Sequence, residues 1–196
     1  GSIMDKKTDL RIQRTQKAII DTFYELLEEK HFSAITIIDI CDRALINRGT
    51  FYTHFQDKYQ LLEKCVYDMM MALDEEVDRV HGDSDMVVYY NDMFDVAIAF
   101  LESNRRRIKT IITKADSNLV FNKVHEIIKQ NIMKKVGRLP SKTRVPLEVL
   151  AEFFAGGLIQ VVKWWLTEDP IYPAEQIKLH LYNLVKNTLK FYYVVD

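Results

Sequence analysis

The sequence predicts an all-α protein of about nine helices, and three observations carry that prediction. Gly and Pro number only 6 and 4 in 196 residues, so few positions oppose a continuous helix. Apolar residues recur at i, i+3, i+4 and i+7 through most of the chain, the signature of helices with one buried face. No convincing strand, low-complexity tract or internal repeat interrupts that pattern. A chain that is 48% hydrophobic and 28% charged has the balance of a globular protein, with room for one large domain or two small ones.

Taken in order, residues 11–30 place Ile12, Ile19, Ile20, Phe23, Leu26 and Leu27 on one face of a first helix. His31-Phe32-Ser33-Ala34 ends it. Thr36, three residues before Asp39, gives a capping-box-like start to a second helix, with Asp where Glu is usual. That helix runs to about Ala44 and buries Ile37, Ile40, Cys41 and Ala44. Leu45-Ile46-Asn47 breaks the chain, and Asn47 is a good N-cap for a third helix. Asp57-Lys58-Tyr59-Gln60 opens a long fourth helix that reaches about Val80. His81 to Asp85 is turn material. Further helices span roughly 86–103, 105–114, 117–136, 145–166 and 174–194, separated at Ser103-Asn104, Asp116-Ser117, Gly137 to Pro146, and Asp169 to Pro173.

Net charge is −1, so composition gives no global signal for nucleic acid. The charge is uneven, however. Residues 65–104 carry many acids against the lone Arg79, and residues 105–144 are basic, opening with Arg105-Arg106-Arg107. Such blocks either face each other, are solvated faces, or offer a basic docking patch. No secretory leader is evident, and Gly1-Ser2 reads as the scar of tag removal. The best spanning candidate, Gly156 to Leu166, is short and is broken by Gln160 and Lys163, which predicts no membrane segment. Cys41 and Cys65 fall in apolar helical patterns and read as reduced core thiols of a cytoplasmic protein.

Three short helices followed by a long one, with a tight break between the second and third, describe a helix-turn-helix module over about residues 36–55. At about 100° per residue, Phe51 and Phe55 share one face of the third helix, which is assigned to the core. The opposite face carries Gly49, Thr50 and Thr53, flanked by Tyr52 and His54, with Arg48 at the N-terminal end. Small residues let a helix approach a groove floor. Thr can bond base edges and offers a methyl to thymine, while Tyr, His and Arg reach phosphates. The amides near Thr36 and at Asp57-Lys58, with the Lys58 ammonium, suit a phosphate as well.

At these residues the sequence resembles a known family. Thr36 to Leu62, TIIDICDRALINRGTFYTHFQDKYQLL, is similar to the DNA-binding domain of TetR-type (tetracycline-repressor-like, TetR/AcrR) bacterial regulators. Asn47, Arg48, Gly49, Thr50, Phe51, Tyr52, His54, Phe55, Lys58, Leu61 and Leu62 match that family's pattern. The resemblance implies that Thr36, Arg48, Gly49, Thr50, Tyr52, Thr53, His54 and Lys58 lie at the DNA surface. Thr50 and Thr53 would be base-directed, and Tyr52, His54 and Lys58 would sit mainly on phosphates. The family often has Gly where this chain has Leu45. A positive φ there would cost Leu on the order of 1 kcal/mol, so the expectation is a slightly different turn, which leaves the exact angle of the recognition helix open. Residues 1–60 hold as many acids as bases, which predicts modest non-specific DNA affinity. Lys6, Lys7, Arg11, Arg14 and Lys17 concentrate basic charge in the arm and first helix.

The expected organisation is an arm over 1–9, a DNA-binding domain over 10–65, and an effector-binding and dimerisation domain over 66–196. Phe153-Phe154-Ala155-Gly156-Gly157-Leu158-Ile159 and Trp164-Trp165 make a helix apolar around much of its circumference. The two glycines cost about 1 kcal/mol each against Ala, which close approach of another helix would explain. The final helix is similarly apolar. Pairing of both with symmetry mates gives a four-helix homodimer interface through Phe154, Gly157, Leu158, Leu181, Leu184 and Tyr192; a buried core helix in a monomer is the plainer alternative. Adaptable Met and aromatic side chains can line a pocket for an apolar or aromatic small-molecule effector. The candidates are Tyr67, Met71, Tyr90, Phe94, His125, Gln160 and Trp164, against a plain core stripe.

No His-Glu-x-x-His, Cys-x-x-Cys, nucleophile elbow or Gly-rich phosphate loop is present, so neither enzyme, metal site nor cofactor is expected. The function implied is a homodimeric transcriptional regulator, a repressor released from a double-stranded DNA operator by its effector. The competing reading is a co-regulator that acts through a protein partner without an operator of its own.

Overall fold

A computed structural model of the chain describes residues 3–80, 86–137, 142–168 and 171–194, with side chains for residues 9–80, 91–135, 137, 144–168 and 171–187. The expected turn at His81 to Asp85 lies outside the described residues. So do the side chains of Lys6, Lys7, Tyr90 and Tyr192.

Among the described residues there are nine α-helices: α1 (Ile3–Glu29), α2 (Ile37–Ala44), α3 (Arg48–His54), α4 (Lys58–Val80), α5 (Met86–Ser103), α6 (Arg105–Lys114), α7 (Ser117–Val136), α8 (Leu147–Thr167) and α9 (Ala174–Tyr192). A single 3-10 turn, Phe32–Ala34, joins α1 to α2. The protein is all-α, as the periodicity predicts. The one addition is an antiparallel pairing of two-residue segments, β1 (Lys142–Thr143) with β2 (Tyr193–Val194). Two backbone pairs carry no period-two pattern long enough to read from sequence.

The chain divides into two compact units. The first holds Gly1–Val66 together with Thr110–Val120, and the second holds Tyr67–Lys109 and Phe121–Asp196. The first unit is therefore not contiguous in sequence. Its core is Ile19, Phe23 and Leu27 of α1, Ile40 and Cys41 of α2, Phe51 of α3, and Leu61, Leu62 and Cys65 of α4. Ile12, assigned to that face by spacing, is 45% exposed, because α1 extends past the elements it covers. The 110–120 segment adds buried Ile111 and Val120, and Lys114 Nζ donates to the Glu28 carbonyl at 3.1 Å. Cys41 and Cys65 are both buried free thiols. Burial pushes the Cys41 thiol pKa up, since it disfavours the charged form.

In the second unit α5 packs on α9. Phe94 and Ile98 on α5, and Ile177, Leu181 and Val185 on α9, are buried. Lys178 joins the two helices through Asp95 at 2.7 Å and also pairs with Glu175; these carboxylates raise its pKa. α8 buries Leu150, Ala151, Ala155, Trp165 and Leu166. One sequence expectation is corrected here. With 21 residues, 18 consecutive ones of which have a mean hydropathy of 1.3, α8 is long and apolar enough to cross a membrane by length and composition. Its Glu152 nonetheless pairs with His125 at 3.0 Å and with Lys129, and only one face of the helix is buried.

Candidate nucleic-acid interface

The interface is built on α2, its exit turn and α3. Thr36 caps α2 with a complete capping box: its Oγ1 accepts from Asp39 N at 3.1 Å, and Asp39 Oδ2 accepts from Thr36 N at 2.8 Å. Lys30 Nζ adds a third bond to Asp39 Oδ2 at 2.8 Å. Lys30 first, then the Thr36 amide and hydroxyl, hold the Asp39 carboxyl down at about 2. A carboxylate thus already occupies the α2 N-terminus, where a phosphate was expected. Thr36 is exposed, and its hydroxyl is engaged with Asp39 in the cap. Arg43 pins the far end of α2 to α1 through a two-pronged bond to Glu29 at 2.6 and 2.8 Å.

Leu45 has φ 56° and ψ 42°, the left-handed conformation, and no other described non-glycine residue has positive φ. The expectation of an altered turn is therefore corrected: Leu45 takes the place of glycine at a steric cost. Ile46 N closes the turn onto the Cys41 carbonyl at 3.0 Å. Asn47 then caps α3, accepting from Thr50 N at 2.7 Å. A Cβ on Gly49 would stand 3.3 Å from that Asn47 Oδ1, so the small residue serves the cap as well as the outer surface.

α3 has two chemically distinct faces. Phe51 and Phe55 are buried, with ring centroids 5.9 Å apart. Arg48, Gly49, Tyr52 and Thr53 are exposed, while Thr50 and His54 are half-buried. The Tyr52 ring meets the Phe51 ring edge-on at 5.6 Å, leaving its hydroxyl end outward with the residue 50% exposed. Thr53 Oγ1 donates to the Thr50 carbonyl at 2.7 Å. Its hydroxyl proton is spent on its own helix, and what it presents outward is an oxygen lone pair and a methyl group.

Lys58 is not placed as expected. It is half-buried, and its ammonium donates to the carbonyls of Phe32, Ser33 and Ile35 at 2.8, 3.3 and 2.9 Å. Burial lowers its pKa. A phosphate contact would need a proton that these carbonyls already hold. Lys30 and the Arg43–Glu29 pair are supporting residues that the sequence reading did not name, and neither carries a local sequence signal; Asp39 and Asn47, read there as caps, support the interface in that role.

The effector candidates differ in exposure. Phe94 is buried, Met71 half-buried, and Tyr67 exposed. His125 is committed to Glu152. Gln160 and Trp164 belong to an exposed stripe of α8 with Val149, Phe153, Gly156 and Gly157, so the expectation that they face a pocket is corrected. Among the dimer candidates Gly157 is exposed, Phe154 and Leu158 are half-buried, and Leu184 is 61% exposed. Leu181 is buried within the unit, so it leaves the interface set. Among the described residues, a Cβ on Gly156 or Gly157 would meet nothing within 4 Å.

Residues 19–65 match the pattern of "Bacterial regulatory proteins, tetR family", and residues 89–187 match that of "Transcriptional regulator C-terminal region". The chain belongs to the TetR family. As a TetR-family member it is a DNA-binding transcriptional regulator and not an enzyme. Among curated relatives it is 26% identical over 132 residues to the Transposon Tn10 TetC protein of Escherichia coli, covering 65% of this chain and 64% of the relative. It is 28% identical over 91 residues to DhaS, a dhaKLM operon transcriptional activator of Lactococcus lactis, covering 46% and 45%. These matches span less than two thirds of each relative's length. Solved TetR structures share the fold: a regulator from Streptococcus agalactiae (24% identical, TM-score 0.67, covering 92% of this chain and 98% of that one). NalD of Pseudomonas aeruginosa, the secondary repressor of the MexAB-OprM multidrug efflux pump, is another (18% identical, TM-score 0.66, covering 95% and 98%).

Proposed function

We propose that this protein is a homodimeric repressor of the bacterial cytoplasm that leaves its operator when a small apolar or aromatic effector binds. Residues 10–65 form the DNA-binding part and residues 66–196 the effector-binding and dimerisation part. The observation that carries the reading is the division of α3 into two faces, Phe51 and Phe55 inward, and Arg48, Gly49, Tyr52 and Thr53 outward. Each protomer inserts that outer face into the major groove of one half-site. Thr50 and Thr53 face base edges, while Thr36, Arg48, Tyr52 and His54 reach the backbone. The effector is held among Met and aromatic side chains of the second unit, Met71 and Phe94 among them. Dimerisation uses α8 and α9 through Phe154, Gly157, Leu158 and Leu184, with Phe153 added because it is exposed.

Sequence selection on random DNA followed by mobility-shift titration across salt tests this. The expected operator affinity lies at roughly 10⁻⁸ M or tighter and falls steeply with salt; Tyr52→Ala weakens it. Absence of sequence-preferring binding at every salt favours instead the co-regulator that works through a protein partner. A second reading concerns only the sign of regulation. NalD is a repressor, whereas DhaS is an activator. A reporter behind the selected operator decides: repression releases transcription on deletion of the regulator, and activation abolishes it.

A further inference from the structure

We infer that Lys58 is a positioning residue of the DNA-binding unit, its ammonium fastening the Phe32–Ile35 turn to the start of α4 and so setting where α2 and α3 stand. The inference rests on the DNA-binding reading above and departs from a phosphate role for this lysine.

An ammonium group has three N–H bonds and no acceptor. Lys58 Nζ has three carbonyls within reach, those of Phe32, Ser33 and Ile35, one for each proton. It also stands 4.6 Å from the centroid of the buried Phe32 ring, in cation–π range. Phe32 itself packs edge-on against Phe23 of α1 and Tyr59 of α4, at 6.0 and 5.1 Å. The socket therefore joins three elements of one unit. Its last carbonyl belongs to Ile35, the residue before the Thr36 cap of α2. A shift of this turn moves the cap, and with it α2 and the helix that follows.

Charge and shape separate this role from phosphate binding. A phosphate accepts Arg at least as well as Lys, because the guanidinium forks across two oxygens. Three carbonyls converging on one nitrogen fit a compact ammonium and not a planar fork. A lost phosphate contact also lowers the slope of log affinity against log salt by about 0.9, whereas a misplaced helix weakens binding at every salt alike.

The test compares Lys58→Arg and Lys58→Gln with wild type on the selected operator, from low to high salt. Both variants are expected to bind about tenfold more weakly or worse, the cost of charge-assisted bonds, with the wild-type salt slope. Amide exchange of Ile37 to Ile40 in the free variants is expected to speed up. A Lys58→Arg protein with wild-type affinity, or a Lys58→Gln protein whose slope falls by about one, overturns the inference. Should either variant fail to fold, the ¹⁵N-labelled ammonium of wild-type Lys58 decides. A protected signal unmoved by operator DNA supports the socket, and one that moves or appears only with DNA overturns it. If wild type shows no operator binding, the DNA-binding reading fails separately, and the exchange and ammonium signals of the free protein still judge the socket.

Discussion

Leu45 holds a left-handed backbone, φ 56° and ψ 42°, with its side chain 91% exposed. For an L-residue that conformation costs roughly 1–2 kcal/mol, and an exposed leucine recovers almost nothing by packing. Leu45→Gly relieves the strain but frees the unfolded chain. The expected net is a gain of up to about 1 kcal/mol, seen as a higher urea midpoint at unchanged slope; a lower midpoint would mean that Leu45 makes contacts the exposed position does not offer. Thr53 supports a second prediction. With its proton given to the Thr50 carbonyl, it offers an acceptor to adenine or cytosine amino groups and a methyl to thymine, but no donor to guanine. Selection on random DNA should disfavour guanine opposite Thr53. Thr53→Val should lose any amino-group preference by about 1 kcal/mol or more per half-site while keeping any preference for thymine. Enrichment of guanine there with wild type would refute the assignment.

At the scale of elements, the α2 N-terminus couples stability to pH. The Asp39 pKa is about 2 in the folded protein, against about 3.9 in an unfolded chain. A depressed carboxyl pKa stabilises the fold fully above the unfolded value, and that contribution is lost as pH falls from about 4 to about 2. Asp39→Asn should be less stable than wild type at neutral pH, and the gap should close across that window in parallel melts. A gap that stays constant with pH would show that the carboxylate charge does not matter. Thr36→Ala, removing the other half of the box, should cost about 1 kcal/mol. These helix starts were legible because a cap and its partner lie three residues apart, as in Thr36–Asp39, Asn47–Thr50 and Asp57–Gln60. The Lys58 socket was not legible. Its acceptors are backbone carbonyls 23 to 26 residues upstream, and every residue type has a carbonyl. Nor was the discontinuous first unit, since the buried side of Thr110–Val120 depends on a partner distant in sequence. On α8 the difficulty was different. A helix apolar on nearly all sides has no polar face to orient it, so of the neighbours Phe153 and Phe154 the sequence reading chose Phe154, and the structure exposes Phe153.

For the whole molecule, the exposed stripe of α8 asks for a partner. Val149, Phe153, Gln160 and Trp164, with the adjacent Gly156 and Gly157 between them, are linked by three- and four-residue spacings, so they form one face of the helix. Phe153 is 70% exposed, and the two glycines have open space where a Cβ would stand. Glycines that cost helix stability yet have open space beside them among the described residues are explained if a second copy brings a helix against them. A two-fold axis makes the face self-complementary, so one substitution strikes the interface twice. Phe153→Glu should therefore shift a dimer toward monomer in sedimentation equilibrium, with the helical signal and melting of the isolated protomer preserved. Gly157→Leu should do the same by bulk, since a Cβ at Gly157 has open space among the described residues. Operator affinity should fall in step with the dimer population, because one protomer reads one half-site and the second is no longer tethered to the first. A Phe153→Glu protein that stays dimeric at micromolar concentration would place the interface elsewhere, leaving the stripe and its two glycines without a partner in this assembly.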